Sequence, residues 1–427
     1  MKKYFHYIIA IGFAAGSCSA SKEIKRFASK GILAVSAFIG AHTGISVFEP
    51  ATGKYWFRHQ AEKYFVPASN TKIVSCFAAM KFLGDSMPGI RYQIKNDSTI
   101  AIQGTGDPTF LHRNYQQQPV FDFLKRFKIV QVNRPRFTEY LGNGWSWGDY
   151  MQEYMAQRSA LPIYGNVAKV TWNDENSITI HPPLFEINSS LSKKLPNGFD
   201  VEKLWDTNDF TFVPGREKIM EIPFKPDVET LVRLLKDTLH TRVEIIDAEN
   251  RYIQEIKSRP TDEYLSPMMH ESDNFFAEQS LLMVGDALTG SINTRKTIDT
   301  LMHSIYSSLP QKPKWADGSG LSRYNLFSPD DFIYILNMME KEFGMDRIKK
   351  ILPTGGTGTI SNYYVADSGR IFVKTGTLNG VVALSGLLFT HKNKFLVFSV
   401  LVNNHSASST DIRKGVEKFI HEIMYCY

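Results

Sequence analysis

Three short stretches of this 427-residue chain carry the residue types of nucleophilic catalysis. The first is Pro67-Ala68-Ser69-Asn70-Thr71-Lys72. A serine and a lysine three apart lie on one face of a helical turn, so a hydroxyl and an amine can meet there. Lysine releases its proton more readily when desolvated or close to another cation. An unprotonated Lys72 can then take the proton of Ser69 and make it a nucleophile. The second stretch is Ser272-Asp273-Asn274. Ser272 offers a proton relay between Lys72 and a departing amine, and the Asn274 amide can hold a carbonyl. The third is Lys374-Thr375-Gly376-Thr377. Lys374 can face a carboxylate, or lower the pKa of its neighbours by its charge. The small residues after it let a ligand lie along a strand edge. Each stretch also has a plainer explanation. Ser, Asp and Asn are good helix caps, and a lysine at a strand end is usually solvated. The Ser-x-x-Lys spacing recurs at Ser19/Lys22 and Ser190/Lys193, where nothing suggests chemistry.

The elements that must position these groups are legible in outline. Residues 73–83 are apolar almost all round a helix, which places that helix inside a domain, with Ser69 at its start and Gly84 at its end. Strands at 44–48 and 54–58 flank the turn Pro50-Ala51-Thr52-Gly53. After Gly84 come short strands between turns, at 92–95, 99–103, 168–172 and 177–180, with breakers at Gly104–Pro108 and Asn173–Asn176. Trp145 and Trp147 suggest a packed corner, and 226–239 a helix with its leucines on one face. Helices are expected at 262–270, 274–285, 292–307 and 329–342, the last capped by Ser328 with Pro329 at its first position. Strands follow at 371–375, 381–389 and 395–402, and a helix at 411–424. No internal repeat or low-complexity tract is present. The expected organisation is a signal peptide at 1–20, a domain built from 21–85 and 257–427, and an inserted β-rich domain at 86–256.

Composition is that of a globular protein, 43% hydrophobic and 22% charged. The net charge of +6 comes without a long basic run, so nucleic acid is not an expected partner. A basic surface suits an anionic polymer such as cell wall. Lys2 and Lys3 precede a largely apolar run from Tyr4 to Ala15 and the small residues Gly16-Ser17-Cys18-Ser19-Ala20. This is a secretory signal too short to span a membrane, and it predicts an exported, periplasmic or cell-envelope protein. Two processing routes stay open: cleavage after Ala20, or lipid attachment at Cys18 with a membrane anchor. An exported location permits a bridge between Cys76 and Cys426, but two unpaired thiols are expected, Cys76 as a small core residue. The 11 histidines show no His-Glu-x-x-His pattern, so neither a metal nor another cofactor is expected.

Each stretch alone is unspecific; their order is not. Ser-x-x-Lys, Ser-Asp-Asn and Lys-Thr-Gly recur in this order in the penicillin-recognising serine enzymes, which the chain resembles. Ser69 and Ser272 lie 203 positions apart, too far for a compact β-lactamase without an insertion. The chain is therefore similar to the D-alanyl-D-alanine carboxypeptidase/endopeptidase family, peptidase family S13, the class C low-molecular-mass penicillin-binding proteins. Further matching stretches are Val66–Ser69, Gly104–Pro108, Asp317-Gly318-Ser319-Gly320-Leu321-Ser322-Arg323, Leu352-Pro353 and Gly358-Thr359.

The resemblance implies an α/β (α+β) penicillin-binding-protein/β-lactamase-like transpeptidase fold, an antiparallel sheet flanked by helices, carrying the insert. It implies cleavage of peptidoglycan peptides ending in D-Ala-D-Ala, or of D-alanine cross-linked to a diamino acid, and acylation by β-lactams. Ser69 is then the nucleophile, Lys72 the base and Ser272 the proton relay. The amides of Ser69 and Thr377 form the oxyanion hole, Asn274 holds the peptide, and Lys374, Thr375, Gly376 and Thr377 line the carboxylate site. The Asp317–Arg323 stretch is a family signature to which the resemblance assigns no catalytic role. Two rivals are a serine β-lactamase with rapid deacylation and a non-hydrolytic wall-binding or antibiotic-sensing module.

Overall fold

The computed structural model describes residues 22–172, 178–185, 187–189, 200–213, 219–248 and 251–426. The expected signal segment with Cys18, the turn at Asn173–Asn176, the start of the strand at Ser177, Ser19 and the Ser190/Lys193 pair lie outside these residues, as does the side chain of Cys426.

Helix α1 covers 22–30, and β1 (His42–Glu49) and β2 (Lys54–His59) form a hairpin. Helix α2 (Thr71–Phe82) follows and is buried from Thr71 to Met80. Gly84, at φ +70°, releases the chain from α2 into the insert. The insert runs through β3 (Ser86–Asn96), β4 (Thr99–Gly104), α3 (Pro119–Leu124), β5 (Ile129–Asn133), β6 (Val167–Trp172), β7 (Ile178–His181), β8 (Ile187–Ser189), β9 (Asp200–Lys203), β10 (Phe210–Val213), β11 (Ile219–Pro223), α4 (Val228–Leu239), β12 (Arg242–Ile246) and β13 (Gln254–Pro260). Among the described residues, one five-stranded sheet, β12-β5-β4-β3-β13, is backed by α3 and α4, and β11-β6-β7 and β8-β10-β9 form two three-stranded sheets.

The insert ends later than the expected boundary at 256. Strand β13 continues to Pro260 and pairs antiparallel with β3, so the chain leaves and re-enters the main domain side by side. Thr261 closes the junction, its N–H donating to Asp85 O at 2.9 Å and its hydroxyl to Gly84 O at 2.7 Å. The sequence hides this strand because Glu255, Lys257 and Arg259 give it no apolar run, and two register shifts interrupt its pairing.

Beyond the insert lie α5 (Thr261–His270), α6 (Asn274–Thr289), α7 (Thr294–His303) and α8 (Pro329–Ile351). Helix α8 is capped by Ser328 with Asp331 in a reciprocal capping box, and breaks at Gly344, φ +73°. Strands β14 (Ile371–Leu378), β15 (Val381–Phe389) and β16 (Phe395–Asn403) and helix α9 (Ser409–Cys426) complete the chain. The central sheet is antiparallel in the order β14-β15-β16-β1-β2.

Strand alternation decides what each face of this sheet meets. Phe372, Leu387 and Leu401 pack into the core shared with α2, α5, α6 and α8. Ile371, Val373, Leu388 and Val400 pack into the core shared with α1 and α9. By the same alternation Lys374 and Gly376 share the face of Phe372, towards α2, and Thr375 and Thr377 face α9. Cys76 is a buried, free thiol within α2, pushed to high pKa by burial.

Candidate active site

Ser69 does not cap α2. It sits in the short 3-10 turn Ala68–Asn70 that precedes the helix, and no side chain caps the helix at Asn70. Ala68 adopts φ +47°, a left-handed conformation that is costly for a residue with a Cβ. The strain is held by contacts on both sides. A Cβ on Gly320 would fall 1.9 Å from Ala68 O, and one on Gly376 would fall 2.7 Å from Pro67 O and 3.0 Å from Ser69 N. Both glycines are therefore required by close backbone approach to the nucleophile turn. The Asn70 amide ties the same turn to β14, donating to Lys374 O at 2.8 Å and accepting from Ser385 Oγ at 2.7 Å.

Lys72 is fully buried on the first turn of α2. Its Nζ lies 3.0 Å from Ser69 Oγ, 2.6 Å from Asn274 Oδ1 and 2.8 Å from Ser319 O. Burial lowers its pKa to about 8, against the opposing pull of Asp317, Asp273 and Glu278. Lys374 is equally buried and donates to Ser272 Oγ at 2.9 Å and to Thr375 O at 3.0 Å. Burial and the charge of Lys72 hold its pKa well below the usual lysine value.

The Ser272-Asp273-Asn274 stretch divides its work. Asp273 caps α6, accepting from Phe276 N. Ser272 adopts φ +63°, which turns its hydroxyl away from the cap and towards Lys374. Asn274 accepts from Lys72, and its Nδ2 donates to Tyr154 O at 3.0 Å. Its amide is thus engaged by the protein at both ends, a task beyond the expected one of holding a carbonyl. Lys374-Thr375-Gly376-Thr377 lies inside β14, which continues to Leu378 rather than ending near 375. As the outer strand of its sheet, β14 presents an open edge. The Val373 N–H points off that edge to Pro353 O at 3.0 Å. With a period of two, the N–H groups of Thr375 and Thr377 point the same way. On the far face Thr375 bonds Thr359, and Thr377 accepts from Arg413 of α9 at 2.7 Å.

All eight residues singled out in the sequence thus converge on one region. A cleft runs over Ser69, Asn274 and Thr377, walled by Gly144, Ser146, Asp149 and Tyr154 of the insert and by Arg323 and Asn379 opposite. The match that decides its ancestry covers residues 30–189 and 234–423, which fit the model of the D-Ala-D-Ala carboxypeptidase 3 (S13) family.

The chain belongs to that family.

It is accordingly a serine-type D-Ala-D-Ala carboxypeptidase, a hydrolase. The S13 chain is 22% identical to penicillin-sensitive carboxypeptidase A of Dictyostelium discoideum, over 90% of its own length and 87% of the relative's. It is 24% identical to the D-alanyl-D-alanine carboxypeptidase of Actinomadura sp. (strain R39), over 88% and 80%. In fold it is similar to penicillin binding protein 4 of Haemophilus influenzae, with a TM-score of 0.71 at 20% identity, covering 90% of this chain and 96% of that one. A β-lactam complex of the same protein superposes with a TM-score of 0.67 at 18% identity, over 90% and 95%.

The S13 site also uses residues that the sequence did not mark as functional. The Asp317–Arg323 turn supplies Ser319 O to Lys72 and seats Gly320 against Ala68. Asp317 itself holds the turn, accepting from Gly320 N at 2.8 Å and Ser322 N at 2.6 Å. The signal available was the Gly-Ser-Gly run, which marks a tight turn but not what the turn touches. We expect Gly320→Ala to lower β-lactam acylation at least about tenfold by displacing the nucleophile turn, and to cost roughly 3 kcal/mol of stability. Stopped-flow acylation and a thermal melt check this; an unchanged acylation rate would show that the close approach is not needed.

Proposed function

We propose that this S13 enzyme hydrolyses the terminal D-Ala-D-Ala bond of peptidoglycan stem peptides through an acyl-enzyme on Ser69. The observation that carries the assignment is the Lys72 Nζ, 3.0 Å from Ser69 Oγ, fully buried and with its pKa lowered to about 8. In its neutral form this amine accepts the Ser69 proton as Oγ attacks the carbonyl carbon. The oxyanion meets the N–H groups of Ser69 and Thr377, whose adjacency follows from Gly376 packing on the nucleophile turn. The D-alanine amine leaves with a proton delivered through Ser272. Water then hydrolyses the ester.

The substrate's own carboxylate fits this scheme. It approaches along the β14 edge, with Lys374 on one face of the strand and the hydroxyls of Thr375 and Thr377 on the other. There its negative charge favours the ammonium form of Lys374, which among the described residues has only burial and the charge of Lys72 acting on it. A charged Lys374 in turn disfavours a charged Lys72, so binding of the carboxylate promotes release of the Lys72 proton. β-Lactams carry a carboxylate and a strained amide and follow the same first step. The charged start of the chain, its apolar run and its small residues support work outside the cytoplasm, in the periplasm or cell envelope.

Incubation with a peptide ending in D-Ala-D-Ala, with free D-alanine measured, tests the reading. Release of D-alanine that penicillin blocks is the expected result. No release, alongside rapid turnover of a chromogenic β-lactam, would make the chain a β-lactamase instead.

A further inference from the structure

Lys72 is bordered by acids that are themselves held from the insert. Glu278 on α6 and Asp317 in the Ser319 turn are both fully buried. Glu278 Oε1 accepts from Ser319 N at 2.8 Å, on the same residue whose carbonyl accepts from Lys72. The other carboxylate oxygen, Oε2, meets Arg158 Nη1 at 3.2 Å. Arg158 belongs to the insert and is 2% exposed. It is fixed on all sides: Nη1 also donates to Thr294 Oγ1 at 2.8 Å, and Nε and Nη2 bond the carbonyls of Glu139 and Leu141. Its guanidinium lies 5.7 Å from the centroid of the Trp145 ring, and Trp145 Nε1 donates to Asp317 Oδ2 at 3.0 Å. Each of the two acids behind the general base therefore has a partner supplied by the insert.

We propose that Arg158 is a positioning residue for catalysis, acting through Glu278 and the Ser319 turn to set the place and the proton affinity of Lys72. The inference rests on Lys72 being the base. It gives the insert a task inside the reaction besides walling the cleft: a side chain of the insert fixes the charge state behind the nucleophile.

The direction of the effect follows from charge. Burial and the charge of Asp317 push the Glu278 carboxyl above the usual range, and the Arg158 guanidinium pulls it back. Without that cation Glu278 holds its proton to higher pH. Lys72 then loses one of the three negative charges that raise its pKa, with Asp317 and Asp273 remaining on that side and Lys374 opposing them. The ammonium is less favoured, and the rise of acylation with pH moves to lower pH. At the same time the Ser319 turn loses the ionised carboxylate that anchors its N–H, so the plateau rate falls.

The test is the second-order rate of acylation by a fluorescent penicillin across pH 5–10, measured on the full chain. For Arg158→Met we expect a plateau lowered about tenfold and a limb shifted by about half a unit or more to lower pH. Arg158→Lys keeps a cation beside Glu278, so it should retain the native limb even where the plateau falls. Glu278→Gln should shift the limb in the same direction, and adding Arg158→Met to it should shift it no further. A plateau loss with an unmoved limb in Arg158→Met, or additive shifts in the double variant, would overturn the proposal and leave Arg158 as packing. If Arg158→Met does not fold, Arg158→Lys and Glu278→Gln carry the same comparison. Failure of the native chain to acylate at all would strike at the functional reading, whereas native acylation with indifferent Arg158 variants would strike only at this one.

Discussion

Ser69→Ala should leave no covalent adduct when the protein is treated with penicillin and its intact mass is measured, while the native chain gains one acyl group. Release of D-alanine should fall by roughly 10⁵-fold, the scale of losing a serine nucleophile from a site whose other parts remain. The size of the effect follows from the packing. Ser69 is raised into the cleft by a strained turn that Gly320, Gly376 and Asn70 hold from three directions, and alanine fits that turn without disturbing it. The variant should therefore fold, melt close to the native temperature and still bind substrate. Ser272 is a second hydroxyl in reach of a site lysine, but it is held by Lys374 at 2.9 Å. An adduct that persists in Ser69→Ala would mean that Ser272 or another group is the nucleophile, and the assignment of Ser69 would fall.

The second large effect concerns Lys72 and pH. With a pKa of about 8, Lys72 is mostly charged at neutral pH and mostly free amine above that value. Acylation should rise about tenfold per pH unit below 8 and level off above it, because only the neutral amine accepts the Ser69 proton. Lys72→Met should lower acylation by about 10³-fold or more at every pH and abolish this limb. Lys72→Arg should do the same, since a guanidinium does not give up its proton in this range. Stability also depends on this proton, with a sign of its own.

The sign follows from proton binding. The unfolded chain keeps the Lys72 proton up to its ordinary value of 10.5 and the folded chain only to about 8. Unfolding therefore takes up a proton between those values, and stability rises with pH across that window. Below it, the buried charge costs about 3 kcal/mol. Lys72→Met removes that cost but leaves Asn274 Oδ1 and Ser319 O without their donor, which offsets much of the gain. The variant should melt no lower than the native protein while being inactive. A melting temperature lowered by many degrees would mean that Lys72 is mainly structural.

The residue types, the order of the three stretches and most of the elements that carry them were legible before any packing was known. Strand and helix patterning is local, so β15 was legible to the residue, and Ser328 announced α8 at its start. A hydroxyl three residues before a lysine is likewise a local fact. Local signals failed where long-range packing overrides them. Ser69 looks like a cap and is not one, because Asn70, Gly320 and Gly376 bring remote backbone onto its turn. The end of the insert is set by pairing of β13 with β3, and charged residues along an edge strand give no pattern to read. It took the packed chain to reveal that Asn274 and Ser319 hold Lys72, that Ser272 turns to Lys374, and that Arg158 reaches Glu278 from 120 positions away. The reason is physical. The proton affinity of a buried amine depends on how much water is excluded and which charges lie within a few ångströms, and neither quantity exists until distant segments are packed together.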